Sequence, residues 1–142
     1  EYEALVHTAA KKWEDAAGMT LFNIAAESTA IAASKDSRNV IYWNKEWAEK
    51  SNLQALTSLY WKGNKINEAD LSIDAQYFTY FVDKPAESDD IHLQSLLVHE
   101  LGHVLGLKHR TSMPSVMWPI LGSSVKRDEL TESDRKSLKC EY

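Results

Sequence analysis

The sequence has little that would cross-link a fold or anchor it in a bilayer. Cys140 is the one cysteine among 142 residues, so no internal disulfide forms, and we expect its thiol to be structurally neutral or paired outside this chain. No apolar run approaches the roughly 20 residues that cross a bilayer. The first residues are amphipathic and lack the charged start and apolar block of a signal peptide. We therefore expect no membrane span.

Basic clusters are also scarce. The formal net charge is −5, and the densest cationic groups are residues 108–110 and 126–127. A nucleic-acid binder normally presents a basic face, so we do not expect nucleic acid as a partner. Hydrophobic residues, in contrast, make up 44% of the chain and charged residues 26%, which is typical of a soluble globular protein. This length and composition predict one domain, residues 1–142, with one hydrophobic core.

The spacing of apolar residues predicts a helix followed by four strands. Apolar residues recur at helical spacing over residues 2–17, and Gly18 follows where a helix would end. Alternating or β-branched residues then predict strands over residues 19–24, 39–43, 55–61 and 65–73. Within the last of these, we expect Glu68 and Asp70 on a polar face of the sheet.

Two more helices are predicted in the last third of the chain. Residues 88–90 supply an N-cap and negative charge for a helix over about residues 91–106. Thr131 is a plausible N-cap for a final helix that ends at about residue 139. Pro114 and Pro119 lie in the irregular segment between these helices. Strands grouped together, with helices at both ends, predict the α+β class.

The strongest chemical signal is a group of histidines in the second predicted helix. His99 and His103 are four residues apart, so their side chains project from neighbouring turns of one helical face. Two imidazoles placed in this way can both bind the same Zn²⁺, each at about 2.0–2.1 Å. Glu100 is offset around the helix, where it could take a proton from a metal-bound water. We expect Glu100 to be the general base and not a ligand.

Gly106 and His109 extend this motif to a three-histidine site. A continuous helix could not return His109, ten residues after His99, to the same metal. Glycine adopts a positive φ without steric cost, so Gly106 can end the helix and turn the chain toward the metal. Three protein ligands leave the fourth tetrahedral position open, as in catalytic zinc sites. The other histidines, at positions 7 and 92, are interpreted as ordinary core or surface residues.

This segment resembles the long zinc signature of the metzincins, and a second landmark follows it. Residues 115–117 resemble the methionine-bearing turn that lies beneath the metal in that family, with Met117 as the methionine. Among metzincins the chain is most similar to the matrixins, especially their small bacterial members. Trp118 and Pro119 follow the turn as Tyr-Pro does there, and Asp134 matches an aspartate that braces the turn. The resemblance covers most of the chain.

The resemblance implies a metzincin-type fold. The expected structure is a small, twisted, mostly parallel sheet with an antiparallel edge strand, an active-site helix and a C-terminal helix. An upper part, about residues 1–107, would contain the sheet and the active-site helix. A lower part, about residues 108–142, would contain the methionine turn and the C-terminal helix. Gly106, Met117, Pro119 and Asp134 would shape the site.

The activity that the resemblance implies is that of a zinc-dependent endopeptidase acting on protein or peptide substrates. Zinc would activate the attacking water and Glu100 would take its proton. Two alternatives remain open: a zinc hydrolase acting on a non-protein amide, and a non-catalytic module that keeps zinc for stability or for binding a partner. Glu100 is unnecessary in the second alternative, so its presence favours catalysis.

Substrate contacts are assigned to two places in the sequence. An extended peptide would lie along an exposed strand edge at Ala55, Leu56 and Thr57. The resemblance implies that Trp118 and Ile120 border the pocket for the residue after the cleaved bond. By the same analogy we expect a secreted or periplasmic monomer, with a pro-segment or a protein inhibitor as a further partner.

The sequence departs from the matrixin pattern in three respects. Matrixins usually open with a strand before the first helix, and residues 1–4 are too few to form it, so we expect either that this strand lies upstream of residue 1 or that the sheet is reduced. Animal matrixins carry a second zinc and calcium ions in a loop rich in His, Asp and Gly, and residues 29–83 contain no such cluster, so we expect one catalytic zinc and no structural zinc or calcium. Arg110 stands where matrixins commonly have a small or acidic residue. In addition, Pro119 occupies the position at which astacins and serralysins have a tyrosine.

Overall fold

A computed structural model of the chain describes residues 2–26, 34–112 and 114–142. Its three helices are α1 (Tyr2–Ala17), α2 (Leu93–Val104) and α3 (Glu132–Glu141). Its five strands are β1 (Ile41–Asn44), β2 (Ala55–Lys62), β3 (Lys65–Asp74), β4 (Tyr80–Phe81) and β5 (Ile91–His92). The chain divides into a helix unit, Glu1–Ala26 with Tyr80–Tyr142, and a strand unit, Glu27–Thr79. No helix among the described residues is both long enough and apolar enough to cross a bilayer.

The core of the helix unit forms where α1 packs against α2 and α3. Trp13 of α1 is fully buried, and its indole Nε1–H donates to the carbonyl of Val98 at 2.9 Å, which satisfies its one polar group. Residues 93–102 of α2 are all buried, so this helix lies at the centre of the unit. A helix buried on every side is held in a fixed position, as a precise site requires.

The start of α2 differs from the sequence prediction. The helix begins at Leu93, because residues 91 and 92 pair in parallel with β4 as the short strand β5. The Asp90 carboxylate, expected near an N-cap, accepts the backbone N–H groups of Ala86 and Glu87 instead. Helix-capping residues also favour turns, because their oxygens accept nearby backbone N–H groups in either setting.

The third helix begins as predicted. Thr131 is its N-cap: the Thr131 hydroxyl accepts the backbone N–H of Asp134, and the Asp134 carboxylate accepts the backbone N–H of Thr131. This reciprocal pair is a capping box, with aspartate in the position that glutamate or glutamine usually occupies.

The strand unit is built on a three-stranded sheet in the order β1-β3-β2. β1 pairs with β3 in parallel, and β2 pairs with β3 in antiparallel orientation. Gly63, at φ +63°, provides the left-handed conformation that the tight β2–β3 connection requires. A separate pair of strands, β4 and β5, is also parallel. Two of the three strand pairings are therefore parallel, and the antiparallel strand, β2, lies at an edge. The predicted α+β class and mostly parallel sheet are confirmed.

The strand predicted over residues 19–24 is absent. Gly18 ends α1 at φ +72°, as expected, but the backbone N–H groups of Leu21 and Phe22 both donate to the side-chain Oε1 of Glu14. Apolar alternation indicates which side chains prefer burial, whereas a strand also needs a partner for its backbone. Here Glu14, at the end of α1, takes the place of that partner.

The polar face predicted for the fourth strand is also wrong. Glu68 and Asp70 of β3 are each only 1% exposed. The Glu68 carboxylate accepts the backbone N–H groups of Asp36 and Ser37, and Asp70 accepts that of Val40. Burial raises the pKa of Asp70, and the neighbouring Glu68 charge raises it further. These carboxylates satisfy loop backbone inside the unit instead of facing solvent.

Candidate metal centre

Three histidines from two segments of the helix unit meet at one point. His99 and His103 project from neighbouring turns of α2, and His109 approaches from the loop that follows it. One ring nitrogen of each lies within 4.8 Å of the others. Such a spacing allows a single metal ion to bind all three nitrogens.

The hydrogen bonds of His99 and His103 fix which ring nitrogen is available. His99 Nδ1 lies 2.7 Å from the carbonyl oxygen of Val116, and His103 Nδ1 lies 2.8 Å from that of Leu107. A carbonyl only accepts, so each Nδ1 carries the proton and each Nε2 presents a lone pair. The two Nε2 atoms are 3.2 Å apart. Two tetrahedral zinc ligands at 2.0–2.1 Å would be separated by about 3.3 Å.

Burial favours the neutral form of all three imidazoles. Burial lowers the pKa of His99 to about 4; the Val116 hydrogen bond opposes the shift, while His103, His109 and Arg127 add to it. Burial also lowers the pKa of His103 and of His109. A metal ligand must be deprotonated, so burial prepares these side chains to bind a cation at neutral pH.

Gly106 turns the chain that returns His109 to the centre. It adopts φ +89°, and its N–H donates to the carbonyl of His103 at 2.8 Å. The N–H of Leu107 donates to the carbonyl of Gly102, and the carbonyl of Leu107 accepts from His103 Nδ1. The turn after α2 and the second histidine therefore hold each other in place.

Glu100 lies in α2 beside the first histidine and is only 6% exposed. Its charge opposes the lowering of the His109 pKa that burial and His103 produce. Glu100 and His99 are buried, His103 is half-buried and His109 is exposed.

Met117 lies beneath α2. It is fully buried, and its Sδ is packed so closely against Gly102 that a side-chain Cβ there would lie 2.4 Å away. Its carbonyl accepts the backbone N–H of Arg110 at 2.9 Å, which joins the segment to the loop carrying His109. Met117 therefore supports the helix and the loop at once.

Asp134 of α3 holds the segment that contains Met117. The Asp134 carboxylate is fully buried and accepts the hydroxyl of Ser115 at 2.5 Å and the N–H of Val116 at 3.1 Å. The carbonyl of Val116 accepts from His99, so two hydrogen bonds, with Val116 between them, connect Asp134 to a candidate ligand. Pro119, two residues beyond Met117, is exposed.

Arg127 is a residue that sequence reasoning did not assign to the site. Its Nη1 donates to the carbonyl of Ile120 at 2.7 Å and its Nη2 to that of Trp118 at 2.8 Å. Its backbone N–H donates to Ser95 Oγ at 2.6 Å. The sequence shows only a basic pair at residues 126–127, and nothing in its spacing relates that pair to α2.

The residues expected to contact substrate lie in both units. In the helix unit, Trp118 is half-buried and Ile120 is 68% exposed. In the strand unit, Ala55 is buried, Leu56 is 48% exposed and Thr57 is half-buried, all on the edge strand β2.

Of the two histidines outside the cluster, His92 has contacts typical of a core residue. His92 is buried and lies 3.1 Å from the carbonyl of Val82 through Nε2 and 2.7 Å from Ser95 Oγ through Nδ1. His92 Nε2–H donates to the carbonyl, and the Ser95 hydroxyl donates to Nδ1. The interpretation of His92 as a satisfied core residue agrees with these contacts.

Comparison with known proteins gives one family for the whole chain. The family model described as matrixin matches residues 1–142. A putative matrix metalloproteinase of Trichoplusia ni ascovirus 2c is 42% identical over 59 residues, which is 39% of this chain and 12% of that protein. Metalloendoproteinase 2-MMP of Arabidopsis thaliana is 35% identical over 52 residues, 37% of this chain and 14% of that protein. Metalloendoproteinase 1-MMP of the same plant is 37% identical over 59 residues, 39% of this chain and 16% of that protein. The matched segment thus spans less than a fifth of each of these relatives.

Proposed function

This chain belongs to the matrixin family of zinc-dependent metalloendopeptidases, and from that premise we propose that it hydrolyses protein or peptide substrates with one zinc held by His99, His103 and His109. Glu100 is the general base. The single observation that carries the proposal is the pair of Nε2 lone pairs 3.2 Å apart, each fixed by a carbonyl on the opposite ring nitrogen. Two lone pairs facing each other at this distance repel unless a cation lies between them.

The division of labour follows from the chemistry of these side chains. When bound, zinc supplies a Lewis acid that lowers the pKa of water from 15.7 toward about 7 and polarises a carbonyl. Glu100 accepts the proton of the attacking water and delivers it to the leaving amine. Its burial beside the histidines supports this role, because a carboxylate shielded from bulk water keeps the proton within the site. A purely structural zinc site would have no need of Glu100.

We further propose that the catalytic zinc is the only tightly bound metal. Among the described residues, the three histidines are the one group of three or more potential metal ligands. Metal analysis of the purified protein is expected to give one zinc per chain and no stoichiometric calcium. Two or more zinc atoms per chain would overturn the single-site proposal.

The decisive experiment replaces the proposed base and keeps the ligands. Glu100→Gln removes proton transfer while preserving size, so kcat on a denatured protein substrate should fall by about 10²–10⁴-fold, with one zinc retained. Glu100→Ala should behave in the same way. If either variant keeps wild-type activity, Glu100 is not the base. If the zinc-loaded wild type cleaves no peptide in a broad library, the peptidase proposal is wrong, and hydrolysis of small amides then tests the non-protein alternative.

Substrate binding is proposed at the two places expected from the sequence. β2 is an edge strand, to which an extended peptide could add by main-chain hydrogen bonds at Ala55, Leu56 and Thr57. Trp118 and Ile120 border the pocket for the residue after the cleaved bond. A single catalytic domain over residues 1–142, a monomeric state, a secreted or periplasmic location and a pro-segment or protein inhibitor stay predictions.

A further inference from the structure

Arg127 connects the active-site helix to the segment after the methionine. Its backbone N–H is bonded to Ser95, one helical turn before His99, and its guanidinium is bonded to the carbonyls of Trp118 and Ile120. The guanidinium is thereby bound to the segment that the proposed function assigns to the border of the pocket for the residue after the cleaved bond. Ile120 is exposed and Arg127 is half-buried, so the hydrogen bond between them lies at the protein surface.

Among the residues that the structure describes, no carboxylate forms a hydrogen bond or salt bridge with Arg127. Its hydrogen-bond acceptors among the described residues are neutral backbone carbonyls, and its Nε–H is buried with no acceptor. The carboxylate that acts on it electrostatically is Asp134, which already accepts hydrogen bonds from Ser115, Val116 and Thr131. Partial burial of a cation without an ion pair costs desolvation free energy. An anionic ligand that pairs with the cation offsets this cost.

The segment that carries Arg127 is joined to α2 by the bond to Ser95, one helical turn before His99. The positive charge of Arg127 is among the causes that lower the pKa of His99. Two of the five N–H donors of the guanidinium bind carbonyls and one is the buried Nε–H, so two Nη hydrogens are left for a ligand. A carboxylate matches that arrangement well, because charge-assisted bonds from guanidinium to carboxylate are among the strongest in proteins.

We propose that Arg127 makes the pocket for the substrate residue after the cleaved bond selective for an acidic side chain, whose carboxylate binds the free Nη hydrogens. This inference rests on the proposed peptidase function, since it names the substrate class of the same site. Arg127 also keeps the Trp118–Ile120 segment in place, so its replacement changes general activity as well. The ratio between matched substrates, and not the absolute rate, is therefore the informative quantity.

The test uses peptides that are identical except for Glu, Gln, Leu or Lys after the scissile bond. For the zinc-loaded wild type, kcat/KM should be about tenfold or more higher for Glu than for Gln, and lowest for Lys. Arg127→Met should bring the Glu-to-Gln ratio to about one, and Arg127→Lys should keep part of it. Lys126→Met removes an exposed charge one residue away and should leave the ratio unchanged. Zinc content and circular dichroism check that each variant is folded.

A second measurement separates this inference from the function on which it rests. In zinc-loaded Glu100→Gln, fluorescence anisotropy should show the same Glu-over-Gln preference in Kd, lost on adding Arg127→Met. Cleavage without a Glu preference, or a preference that survives Arg127→Met, overturns the role of Arg127 while the peptidase proposal stands. Binding with the preference but without cleavage by the wild type overturns the peptidase proposal and leaves the role of Arg127 intact.

Discussion

Gly102 is packed closely against the side chains beneath the metal centre. It precedes His103 in α2, and a Cβ at this position would lie 2.4 Å from Met117 Sδ and 3.0 Å from Trp13 Cζ2. Both neighbouring side chains are fully buried, so neither moves without disturbing the core. Helix propensity alone would favour alanine over glycine here by about 1 kcal/mol, and the steric conflict acts in the opposite direction.

We expect the steric conflict to outweigh helix propensity, so that alanine at position 102 destabilises the protein. Gly102→Ala should lower the free energy of unfolding by about 1–3 kcal/mol, the usual cost of overpacking a core, and should weaken zinc binding by displacing His103. Urea unfolding of the zinc-loaded protein measures the first effect and competition with a chelator the second. In a Met117→Ala background the same substitution should cost less, since its main obstacle is gone. An unchanged or higher stability of Gly102→Ala would show that the Met117 side chain moves aside without a cost in stability.

At the residue scale, the zinc-binding motif and Arg127 mark the limits of sequence reasoning. The geometry of His99 and His103 is local, because a helix fixes the relative positions of residues four apart. Gly106 indicates the turn that brings His109 back to the same point. The position of Arg127 depends on how residues 118–127 fold back onto α2. Its guanidinium binds backbone carbonyls, which every residue has and which therefore give no signal in the sequence. Contacts to backbone atoms of distant segments are therefore the part of the site that sequence leaves out.

At the scale of elements, α3 stabilises the site through one side chain. Asp134 closes the capping box of α3 and also binds Ser115 and Val116. The carbonyl of Val116 in turn orients His99. One carboxylate thus couples the start of a helix to the orientation of a candidate metal ligand.

Asp134→Ala should affect both stability and metal affinity. Loss of the carboxylate leaves several buried donors without an acceptor, which costs about 1–3 kcal/mol for each, and zinc affinity should fall about 10–100-fold because an outer hydrogen-bond partner of a ligand is disturbed. Chemical denaturation and zinc titration measure the two effects. Glu132→Ala is the matched control: this carboxylate lies in the same first turn but its side chain is 81% exposed, so both quantities should stay near wild type. Wild-type zinc affinity in a folded Asp134→Ala protein would contradict the coupling.

The elements themselves were predictable where sequence pattern and backbone pairing agree. β2 and β3 were predicted from alternating or β-branched residues, and α1 from its helical spacing and Gly18. The strand expected over residues 19–24 failed because Glu14, a charged residue of the preceding helix, accepts the N–H groups that a neighbouring strand would have used. The polar face expected for β3 failed because Glu68 and Asp70 satisfy loop N–H groups inside the unit. In both cases a carboxylate binds backbone, which hydrophobic periodicity does not record.

At the scale of the whole molecule, the helix unit contains four histidines with lowered pKa values. Burial is the largest cause for His92, His99, His103 and His109. In the unfolded chain these groups titrate near pH 6.5, so below that pH the unfolded state binds more protons than the folded state. The zinc-free protein should therefore be most stable above about pH 7, and should lose stability as pH falls through 6.5 toward the His99 pKa of about 4.

Zinc should strengthen this dependence, because it binds the same neutral imidazoles and all three ligands belong to one unit. Zinc at 100 times its Kd should stabilise the folded state by about 2.7 kcal/mol, and the gain should be smaller at pH 5 than at pH 8, since protons compete for the ligands. Thermal unfolding with and without zinc at both pH values measures the effect. Glu100→Gln should gain as much as the wild type, whereas His103→Ala should gain little. An equal gain in His103→Ala, or a larger gain at pH 5, would mean that zinc stabilises the protein from some other site.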